Sequence, residues 1–381
     1  MPDLTLILLS AGNSTRFSPF LKKQWLRVGD DPLWLFVAKR LNSYYNFSKT
    51  IITANRDDLN YKKRFLSGFE IVEGAKSRQE SLKNALLNVQ TEYVLVSDVA
   101  RACVSKDMLE KIIKHKNRAD IIVPYLNVND TVVYKDSTIC RDDVKLIQTP
   151  QLSKTKVLKK ALNQKRLFTD DSSAIKSING DVFFVKGDEC AKKITYFTDL
   201  ESIRCLNAPS NRVFIGSGFD VHPFEDNKPM YLGGVHIKSK FGFKAHSDGD
   251  VALHALIDAL LGAIGCGDIG ELFPDSDEAY KDLDSKLMLK KVVAFVKSVG
   301  FEINNVDITI IAQTPKISSY KKLMQTTIAS ILQIEPIFVN IKATTTEQLG
   351  FIGRNEGVAV KASTSLNYFN WRDYENIDSR K

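Results

Sequence analysis

Paired cysteines and long apolar runs are both missing from this sequence. Its five cysteines are scattered singly over 381 residues, and no two of them have the C-x-x-C spacing of redox and zinc motifs. The odd number favours a reducing compartment. The apolar run at residues 4–9 is too short to cross a membrane, and no basic residue precedes it as a signal peptide would require. We therefore expect a cytoplasmic protein with no membrane partner.

A basic run with interleaved aromatic residues is missing as well. The net charge is +8, from 53 Lys and Arg against 45 Asp and Glu, but the basic residues form no long cluster. We therefore expect no nucleic-acid partner, whereas phosphorylated small molecules are compatible with the charge. With 44% hydrophobic and 26% charged residues the chain has the composition of a globular protein, and its length suggests two domains.

Short apolar runs alternate with helical patterns in the first half of the chain. The apolar runs occupy residues 4–9, 50–54, 93–96 and 121–123, and the helical patterns occupy residues 33–41, 78–87 and 106–114. This alternation predicts a doubly wound, Rossmann-like α/β sheet that binds ligands at the carboxyl ends of its strands. Polar loops at residues 10–23, 74–81 and 97–101 fall at those ends.

The first of these loops has small residues followed by positive charges. Ser10, Ala11 and Gly12 would let backbone N–H groups approach phosphate oxygens, and Arg16 and Lys23 add positive charge. The loop lacks the glycines of the P-loop and of the dinucleotide fingerprint. A tight strand-to-helix turn without a ligand is therefore an alternative of equal weight.

Asp220, His222 and His254 have the chemistry of a metal site in the second half. Asp220 and His222 are two residues apart, so their side chains share a face if this segment is a strand. His254 falls in an apolar helical pattern that follows a polar helix start at residues 247–250. One Asp and two His can hold a divalent ion and leave a fourth position open, as catalytic zinc requires. For His254 the alternative is a hydrogen-bonded core histidine.

The pattern breaks between the two halves. Asn207, Ala208, Pro209 and Ser210 are turn and linker residues, and a new apolar run starts at residue 213. We therefore predict one domain at residues 1–207 and a second at residues 208–381.

Five motifs in the first half stand in the order typical of one nucleotidyltransferase family. They are Ser-Ala-Gly-x-Ser-x-Arg with Lys-Gln-Trp-Leu at residues 10–26, Glu-Gly-Ala-Lys-Ser-Arg-Gln-Glu-Ser at 73–81, Val-Ser-Asp-Val-Ala-Arg at 96–101, Gln-Thr-Pro-Gln at 148–151 and Phe-Thr-Asp-Asp at 168–171. Residues 4–206 thereby resemble the 2-C-methyl-D-erythritol 4-phosphate cytidylyltransferases. The resemblance implies attack of a phosphate oxygen on the α-phosphorus of CTP and release of pyrophosphate.

The resemblance also implies roles for single residues. Arg16 and Lys23 would stabilise the charge at phosphorus, with Mg²⁺ or Mn²⁺ on the triphosphate and Asp98 at the metal or a sugar hydroxyl. Ser10, Ala11 and Gly12 would form the phosphate loop, and Gly74 and Ser81 match the loop that reads cytosine. Arg101, Arg141, Thr169 and Lys193 match positions around methylerythritol phosphate. Arg141 and Lys193 would clamp its phosphate, either from the same subunit or from a neighbouring one. Ser14, Ala75 and Lys76 depart from the usual Gly, Gly and Asp, which leaves base selectivity open.

A second set of motifs fills the other half. They are Gly-Phe-Asp-x-His from residue 218, Ala-His-Ser-Asp-Gly-Asp-x-x-x-His from 245, Gly-Asp-Ile-Gly-x-x-Phe-Pro-Asp from 267, Ile-Ile-Ala-Gln-x-Pro-Lys from 310 and Lys-Ala-Thr-Thr-Thr-Glu-x-Leu-Gly-Phe from 342. Residues 212–369 thereby resemble the 2-C-methyl-D-erythritol 2,4-cyclodiphosphate synthases. The resemblance implies an α/β domain with helices on one side of a sheet, and ring closure between two phosphates of one substrate with loss of CMP.

In this half the resemblance assigns Zn²⁺ to Asp220, His222 and His254, and Mg²⁺ or Mn²⁺ to Glu347. Substrate phosphates would contact Thr345, His246 and Ser247, the erythritol hydroxyls Asp275, and the ribose Asp268. The CMP pocket would be shaped by Ala312, Pro315, Lys316, Ala343 and Thr344. Phe351 and Arg354 would line a central cavity instead of acting in catalysis.

Together the two resemblances predict a bifunctional enzyme of the non-mevalonate route to isoprenoid precursors. No Gly-rich kinase loop is present, so a separate kinase would supply the step between the two reactions. The transferase family is dimeric and the synthase family trimeric with sites between subunits, so the chain could form a trimer-based homo-oligomer such as a hexamer. The alternative is a nucleotidyltransferase of another sugar or alditol phosphate, fused to a zinc phosphohydrolase or an oligomerisation module.

Overall fold

The chain forms two compact units that divide between Pro209 and Ser210. A computed structural model describes residues 3–245, 247–273 and 283–373. Both units are mixed α/β structures. Within these described ranges, no helix has both the length and the apolar surface needed to cross a membrane.

The first unit is built on an eight-stranded sheet. The strands of this unit are β1 (Leu4–Leu9), β2 (Arg27–Val28), β3 (Asp31–Pro32), β4 (Lys49–Ala54), β5 (Glu70–Glu73), β6 (Tyr93–Asp98), β7 (Ile121–Asn127), β8 (Val132–Tyr134), β9 (Ser137–Ile139), β10 (Lys145–Ile147), β11 (Gln151–Lys154) and β12 (Val182–Lys186). The sheet order is β10-β7-β11-β6-β1-β4-β5, with β12 paired to β7. Strands β6, β1, β4 and β5 are parallel, which confirms the predicted doubly wound core.

Strands β10 and β11 run against the predicted direction. Both pair antiparallel with β7, and β11 also pairs antiparallel with β6. The two strands run the same way, with residues 148–150 between them. An antiparallel strand inserted in this way is common in large mixed sheets. The parallel part, whose strand ends carry the polar loops, is unaffected.

Some helices of the first unit start at a capping side chain. The helices are α1 (Leu33–Tyr44), α2 (Leu59–Lys63), α3 (Arg78–Leu86), α4 (Lys106–Lys114), α5 (Thr155–Leu162) and α6 (Asp171–Lys176), of which α3, α4 and α6 are capped in this way. Ser77 and Glu80 form a reciprocal capping box at α3, and Asp170 caps α6 through the backbone N–H groups of residues 172 and 173. The capping residues fix where α3 and α6 begin, beside the loops at 74–77 and 168–170.

Strand β1 is buried on both of its faces. Ile7 and Leu9 belong to a cluster that includes Leu82 of α3 and Leu158 of α5. Leu6 and Leu8 point the other way and are also fully buried. Burial on both faces holds the strand rigidly, so the loop that follows it starts from a fixed point.

Cys103 and Cys205 form a disulfide within the first unit, with their Cα atoms 5.8 Å apart. The spacing of the cysteines in the sequence did not predict this pair. The two residues are separated by 102 positions in sequence, so only the fold reveals their proximity. Cys140, Cys190 and Cys266 are not part of a disulfide; the first two are exposed and the third is buried.

The second unit has a five-stranded sheet of order β16-β13-β19-β17-β18. Its strands are β13 (Val213–Asp226), β14 (Met230–Leu232), β15 (Val235–Ile237), β16 (Phe241–Phe243), β17 (Phe301–Ile311), β18 (Val339–Thr344) and β19 (Gly357–Tyr368). Its helices are α7 (Val251–Ala263), α8 (Ile269–Leu272), α9 (Ser285–Ser298), α10 (Lys321–Leu332) and α11 (Gly350–Gly353). Helix α7 is apolar on nearly every side and packs on β13, β19 and α9.

Two glycines let α7 approach the sheet closely. A Cβ atom added to Gly216 would lie 1.9 Å from the carbonyl oxygen of Ala259, and one added to Gly218 would lie 2.0 Å from that of Ala255. Both contacts are shorter than any side chain tolerates, so glycine is required at both positions. The next residues on the same face of β13, at positions 220 and 222, therefore come close to α7.

Two candidate active sites

The first candidate site is a cleft of about 640 Å³ at the carboxyl ends of β1, β4, β5 and β6. Its lining includes nine residues singled out from the sequence, namely Ser10, Ala11, Gly12, Arg16, Lys23, Gly74, Ser81, Asp98 and Lys193. The structure thus brings the small-residue loop and the positive charges to one place. The cleft has the size of a small-molecule site.

The loop after β1 is held by side chains of neighbouring elements. Gln24 donates a hydrogen bond of 3.0 Å from Nε2 to the carbonyl oxygen of Gly12. Ser14 has a φ of 58°, in the left-handed region that favours glycine. Its hydroxyl lies 3.1 Å from Gln24 Oε1 and accepts a 3.0 Å hydrogen bond from the backbone N–H of Lys23. The departure at Ser14 therefore ties the loop to the turn that carries Lys23.

The loop that resembles a cytosine-reading segment is also held tightly. Ser81 Oγ accepts a 2.9 Å hydrogen bond from the backbone N–H of Ala75 and donates one of 2.8 Å to the carbonyl oxygen of Ser77. A Cβ atom on Gly74 would lie 2.3 Å from Ala11 Cβ, so only glycine fits between the two loops. These contacts use the backbone of Ala75 and do not depend on its side chain.

Lys23 is a cation of the cleft whose pKa is lowered. Burial, together with the charges of Lys193 and Arg16, lowers the pKa of Lys23 to about 8. Its ammonium group donates a hydrogen bond to the carbonyl oxygen of Ile194. Lys23, Arg16 and Lys193 all line this cleft, and together they form a site prepared for a highly charged anion.

Asp98 lies at the end of β6 between two cations. Lys193 Nζ is 2.7 Å and Arg78 Nε 3.3 Å from its carboxylate oxygens. Burial alone would raise the pKa of Asp98, but the charges of Arg78 and Lys193 lower this pKa to about 2. The carboxylate is therefore ionised at neutral pH and available to a metal or a hydroxyl.

Arg78 is a site residue that the sequence reasoning missed. Its guanidinium bridges Asp98 and Asp171, with Nη1 2.7 Å from Asp171 Oδ1. Burial opposes its charge, but the two carboxylates raise the pKa of Arg78 above its usual value. Both Arg78 and Asp171 stand inside motifs noted in the sequence, but no spacing rule links positions so far apart.

Three predicted substrate residues lie outside the cleft lining as described. Arg101 donates to the carbonyl oxygens of Ala191, at 2.7 Å, and Ile147, at 3.3 Å. Arg141 is exposed and donates a 2.7 Å hydrogen bond to the carbonyl oxygen of Asn129, and Thr169 is exposed. Their substrate contacts stay predictions.

The second candidate site is formed by Asp220, His222 and His254. One ligand atom from each lies within 4.8 Å of the others. Asp220 Oδ2 is 3.3 Å from both His222 Nε2 and His254 Nδ1. A tetrahedral ion with bonds of about 2.1 Å separates its ligand atoms by about 3.4 Å, so the spacing and donor types fit zinc.

The outer nitrogen of each histidine is occupied by a protein oxygen. His222 Nδ1 is 3.0 Å from the carbonyl oxygen of Gly249, and His254 Nε2 is 2.9 Å from Ser285 Oγ. Ser285 in turn donates to Asp248 Oδ1 at 2.5 Å. Burial lowers the pKa of His222, which favours the neutral form that binds metals.

Asp248 and Ser285 were not identified from the sequence. Asp248 lies within the motif that starts at residue 245. Because it stands between Ser247 and Asp250, just before a predicted helix, the sequence suggested only helix capping for this segment. Ser285 is the first residue of α9, and the fold alone brings it to His254.

The remaining predicted residues of this half lie on loops at strand ends. Thr345 Oγ1 donates a 2.7 Å hydrogen bond to Glu347 Oε1, and both residues are exposed. Arg354 is paired with Glu356 at 2.7 Å, and Phe351 is exposed nearby in the chain. In the part of the chain that the structure describes, Glu347 does not join the cluster of three residues that could hold a metal ion.

The predicted CMP pocket is partly assembled by strand register. Strands β17 and β18 run parallel, with Ile310 opposite Ala343 and Ile311 opposite Thr344. The backbone N–H of Ala312 then donates a 3.0 Å hydrogen bond to the carbonyl oxygen of Thr344. The loop that follows β17 carries Pro315, after a cis peptide bond, and the exposed Lys316.

Four further predicted residues have mixed outcomes. Asp268 caps α8 by accepting a 3.1 Å hydrogen bond from the backbone N–H of Glu271, and its contact with the ribose stays a prediction. Ser247 Oγ lies 3.2 Å from His254 Nε2. His246 and Asp275 lie outside the described residues.

Comparisons with known proteins cover both units. A family model for 2-C-methyl-D-erythritol 4-phosphate cytidylyltransferase (IspD) matches residues 4–206, and one for the YgbB family matches residues 213–367. The "Bifunctional enzyme IspD/IspF" of Aliarcobacter butzleri is 56% identical over 98% of this chain and 100% of its own length. That of Campylobacter fetus is 55% identical, again over 98% and 100%. The solved structure of the bifunctional IspDF from Campylobacter jejuni has a TM-score of 0.89 and 49% identity, and covers 97% of this chain and 99% of that one.

Proposed function

The chain belongs to the family of bifunctional IspD/IspF enzymes, and we propose how its two candidate sites carry out the two reactions of that family. It is an enzyme of the non-mevalonate pathway with a cytidylyltransferase and a cyclodiphosphate synthase activity. We assign the transferase to residues 1–207 and the synthase to residues 208–381. A cytoplasmic location and a separate kinase for the intervening step belong to the same proposal.

The grouping of Arg16, Lys23 and Lys193 around one cleft carries the proposal for the first site. Transfer of CMP to 2-C-methyl-D-erythritol 4-phosphate brings two anions together, so positioned cations lower the barrier most. Arg16 and Lys23 would bind the oxygens of the α-phosphate as charge builds up there. Lys193 would hold the phosphate of the acceptor, with Arg141 as its proposed partner from a neighbouring subunit.

Other groups of the cleft would bind and orient CTP. The backbone of residues 10–12 would face the phosphates, and Gly74 and Ser81 would shape the cytosine pocket. A magnesium ion on the triphosphate, held by Asp98, would neutralise charge when bound. Manganese is the alternative ion.

Pyrophosphate release tests the first assignment. The purified enzyme is incubated with methylerythritol phosphate and, separately, with CTP, UTP, ATP or GTP. We expect release with CTP and at least about tenfold less with the others, because the pocket contacts the base through the backbone of a fixed loop. A preference for another nucleotide would indicate that the departures at Ala75 and Lys76 have changed the base selectivity. Absence of pyrophosphate release with CTP would contradict the assignment.

The three-ligand cluster carries the proposal for the second site. Its substrate, 4-diphosphocytidyl-2-C-methyl-D-erythritol 2-phosphate, closes a ring by attack of its 2-phosphate on the β-phosphorus. Zinc held by Asp220, His222 and His254 would act as a Lewis acid and template for the diphosphate. Thr345 and Ser247 would orient phosphate oxygens, and Glu347 would hold a second, oxygen-loving ion.

Product analysis separates this reaction from simple hydrolysis. With the substrate supplied, we expect CMP and the cyclic diphosphate in equal amounts. A linear product would indicate a zinc phosphohydrolase, and no CMP at all would indicate a module that only assembles the protein. Metal analysis of the purified chain would show whether zinc is bound.

An exposed apolar stripe on β13 supports the proposed trimer-based assembly. Val213, Ile215 and Phe219 are 56%, 76% and 61% exposed on the face of β13 that points away from α7. A trimer would cover these side chains, and dimerisation of the first unit would double it to a hexamer. Light scattering should give a trimer or hexamer for the natural chain and a smaller species for Ile215→Lys.

A further inference from the structure

Lys62 of α2 is fully buried and contacts the first residue of the loop after β1. Its Nζ donates to Ser10 Oγ at 2.9 Å, to the carbonyl oxygen of Thr53 at 3.3 Å and to that of Ser10 at 3.5 Å. The three hydrogens of one ammonium group match these three acceptors. Lys62 therefore ties the end of β1 to the end of β4 where the cleft begins.

Asp58, which precedes Lys62 by four residues, holds the other element of the cleft. Its Oδ2 accepts hydrogen bonds from Lys22 Nζ at 3.3 Å and from Trp25 Nε1 at 2.7 Å. Lys22 and Trp25 flank the short turn that carries Lys23. Asp58 is fully buried as well. One segment of the chain thus contacts both the phosphate loop and the turn with the catalytic lysine.

The burial of these charges is not needed to fill the core. Lys62 Nζ lies over the rings of Trp25, at 5.7 Å, and Trp34, at 5.3 Å, a place that an apolar side chain could fill. Burial lowers the pKa of Lys62 to about 8, against the opposing effect of Asp58. A buried charge pair is weak evidence for stability, since apolar residues of similar volume often do as well or better. The two charged side chains instead fix the position of specific atoms beside the cleft. Lys62 holds Ser10, and Asp58 holds the turn that carries Lys23.

We propose that Lys62 and Asp58 are positioning residues of the transferase site. Lys62 holds Ser10 so that the following backbone N–H groups face the triphosphate, and Asp58 holds the turn so that Lys23 reaches the α-phosphate. This inference rests on the proposed role of Lys23 and of the loop in CMP transfer. A misplacement of about 1 Å in such a site can cost about a hundredfold in rate.

The test compares Lys62→Met with Lys63→Met. Methionine is an unbranched side chain one atom shorter than that of Lys62; it keeps an apolar group beside Trp25 and Trp34 but removes the charge and its hydrogen bonds, whereas Lys63 is exposed. We expect kcat/KM for CTP to fall about 10- to 100-fold in Lys62→Met, chiefly in kcat, and to be unchanged in Lys63→Met. CMP release by the second unit of the same chain should keep its natural rate in both, which controls for protein quality.

A double-mutant cycle with Ser10→Ala shows whether Lys62 acts through Ser10. If it does, the two substitutions together should cost clearly less than the sum of their separate effects, because both remove the hydrogen bond between Lys62 Nζ and Ser10 Oγ. Additive losses in log kcat/KM would overturn the proposed route through Ser10.

Asp58→Asn decides the matter if Lys62→Met fails to fold, as judged by tryptophan fluorescence. Asparagine keeps an acceptor for Trp25 Nε1 and removes the charge beside Lys22 and Lys62. A severalfold loss of transferase kcat with unchanged CMP release supports the proposal. A natural kcat in either folded variant, even with a lower melting temperature, would overturn it and leave a structural role only. If the natural chain itself released no pyrophosphate, the assignment of the first site would fail instead.

Discussion

The two candidate sites hold charge in different ways. In the first unit the functional groups are linked to one another, since Asp98 contacts Lys193 and Arg78, and Arg78 also contacts the buried Asp171. In the second unit three side chains converge on one point, and Thr345 and Glu347 stand exposed on a separate loop. A network of permanent charges suits the binding of a triphosphate. A three-ligand cluster suits an ion that itself provides the charge.

This difference between the two sites determines which substitutions should affect only one of the two reactions. In the first unit a lost side chain leaves its charged partners behind, so binding, rate and stability change together. In the second unit a lost ligand would remove an ion, whereas α7 packs on β13 through apolar side chains and the close approach at Gly216 and Gly218. Each prediction below changes one side of this contrast and uses the other reaction of the same chain as its control.

His254→Ala should have the largest effect. With one of three ligands gone, we expect zinc content to fall to near zero and CMP release to fall at least about a thousandfold, because the Lewis acid contributes several kcal/mol. Pyrophosphate release from CTP should be unchanged. Metal analysis and the two product assays check this, and a parallel loss of both activities would contradict separate sites.

Lys23→Met should cost slightly less. Removing one positioned cation from a charge-stabilising site lowers kcat by about 100- to 1000-fold. The neighbouring Lys22→Met is the matched control for a changed lysine in the same turn, although its contact with Asp58 predicts a small loss of its own. CMP release should not respond. Equal activity of Lys23→Met and the natural chain would remove Lys23 from the mechanism.

Arg78→Met tests whether the first site is a network. It leaves Asp171, whose side chain is 1% exposed, without its ion-pair partner. Loss of one member of a buried pair typically costs about 3–5 kcal/mol, so thermal unfolding of the first unit should shift to lower temperature. Transferase kcat should also fall, since Asp98 loses a positioning contact. Differential scanning calorimetry and the pyrophosphate assay measure both, and an unchanged melting profile would mean that the charges are independent.

The contrast between the sites also sets what the sequence could reveal. The buried run at residues 4–9 and the two-residue spacing of Asp220 and His222 follow local periodicity, so the core of the sheet and two members of the candidate metal cluster were predictable. Gly216 and Gly218 lie on the same face of β13 as Asp220 and His222 and let α7 approach that face. This explains why His254 of α7 lies beside these two side chains. Contacts between distant segments were not predictable, because local patterns carry no information about pairs such as Arg78 with Asp171.

The antiparallel strand β11 and the Cys103–Cys205 bond were missed for the same reason. Each depends on where the chain returns after a long excursion, and apolar spacing is the same for a parallel and an antiparallel strand. Family resemblance supplied residue roles that spacing could not. The buried supports, Ser285 and Lys62 among them, lie outside the motifs and needed the fold.

Ser285→Ala should have a moderate effect confined to the second unit. His254 would lose the hydroxyl at 2.9 Å that orients its ring, although Ser247 Oγ at 3.2 Å can replace part of that contact. Supports of this kind typically change metal affinity or activity by about 10- to 100-fold, and we expect the lower end. Zinc affinity measured by competition with a chelator checks this. Unchanged affinity would mean that Ser247 alone orients the histidine.

The pH profile should show the smallest difference and separates the two sites without any substitution. Lys23 has a pKa of about 8, set by burial and by Lys193 and Arg16 against Asp98 and Asp199. The protonated form is the active one, so kcat/KM for CTP should fall as pH rises through 8, by about fourfold between pH 7 and pH 8.5. Lys62 also has a lowered pKa, and Lys23→Arg distinguishes the two, because arginine stays charged and should remove the fall if Lys23 causes it. If the fall persists in Lys23→Arg, the titrating group lies in the buried support and not in the cleft, and the first site depends on its supporting residues more than on its exposed cations.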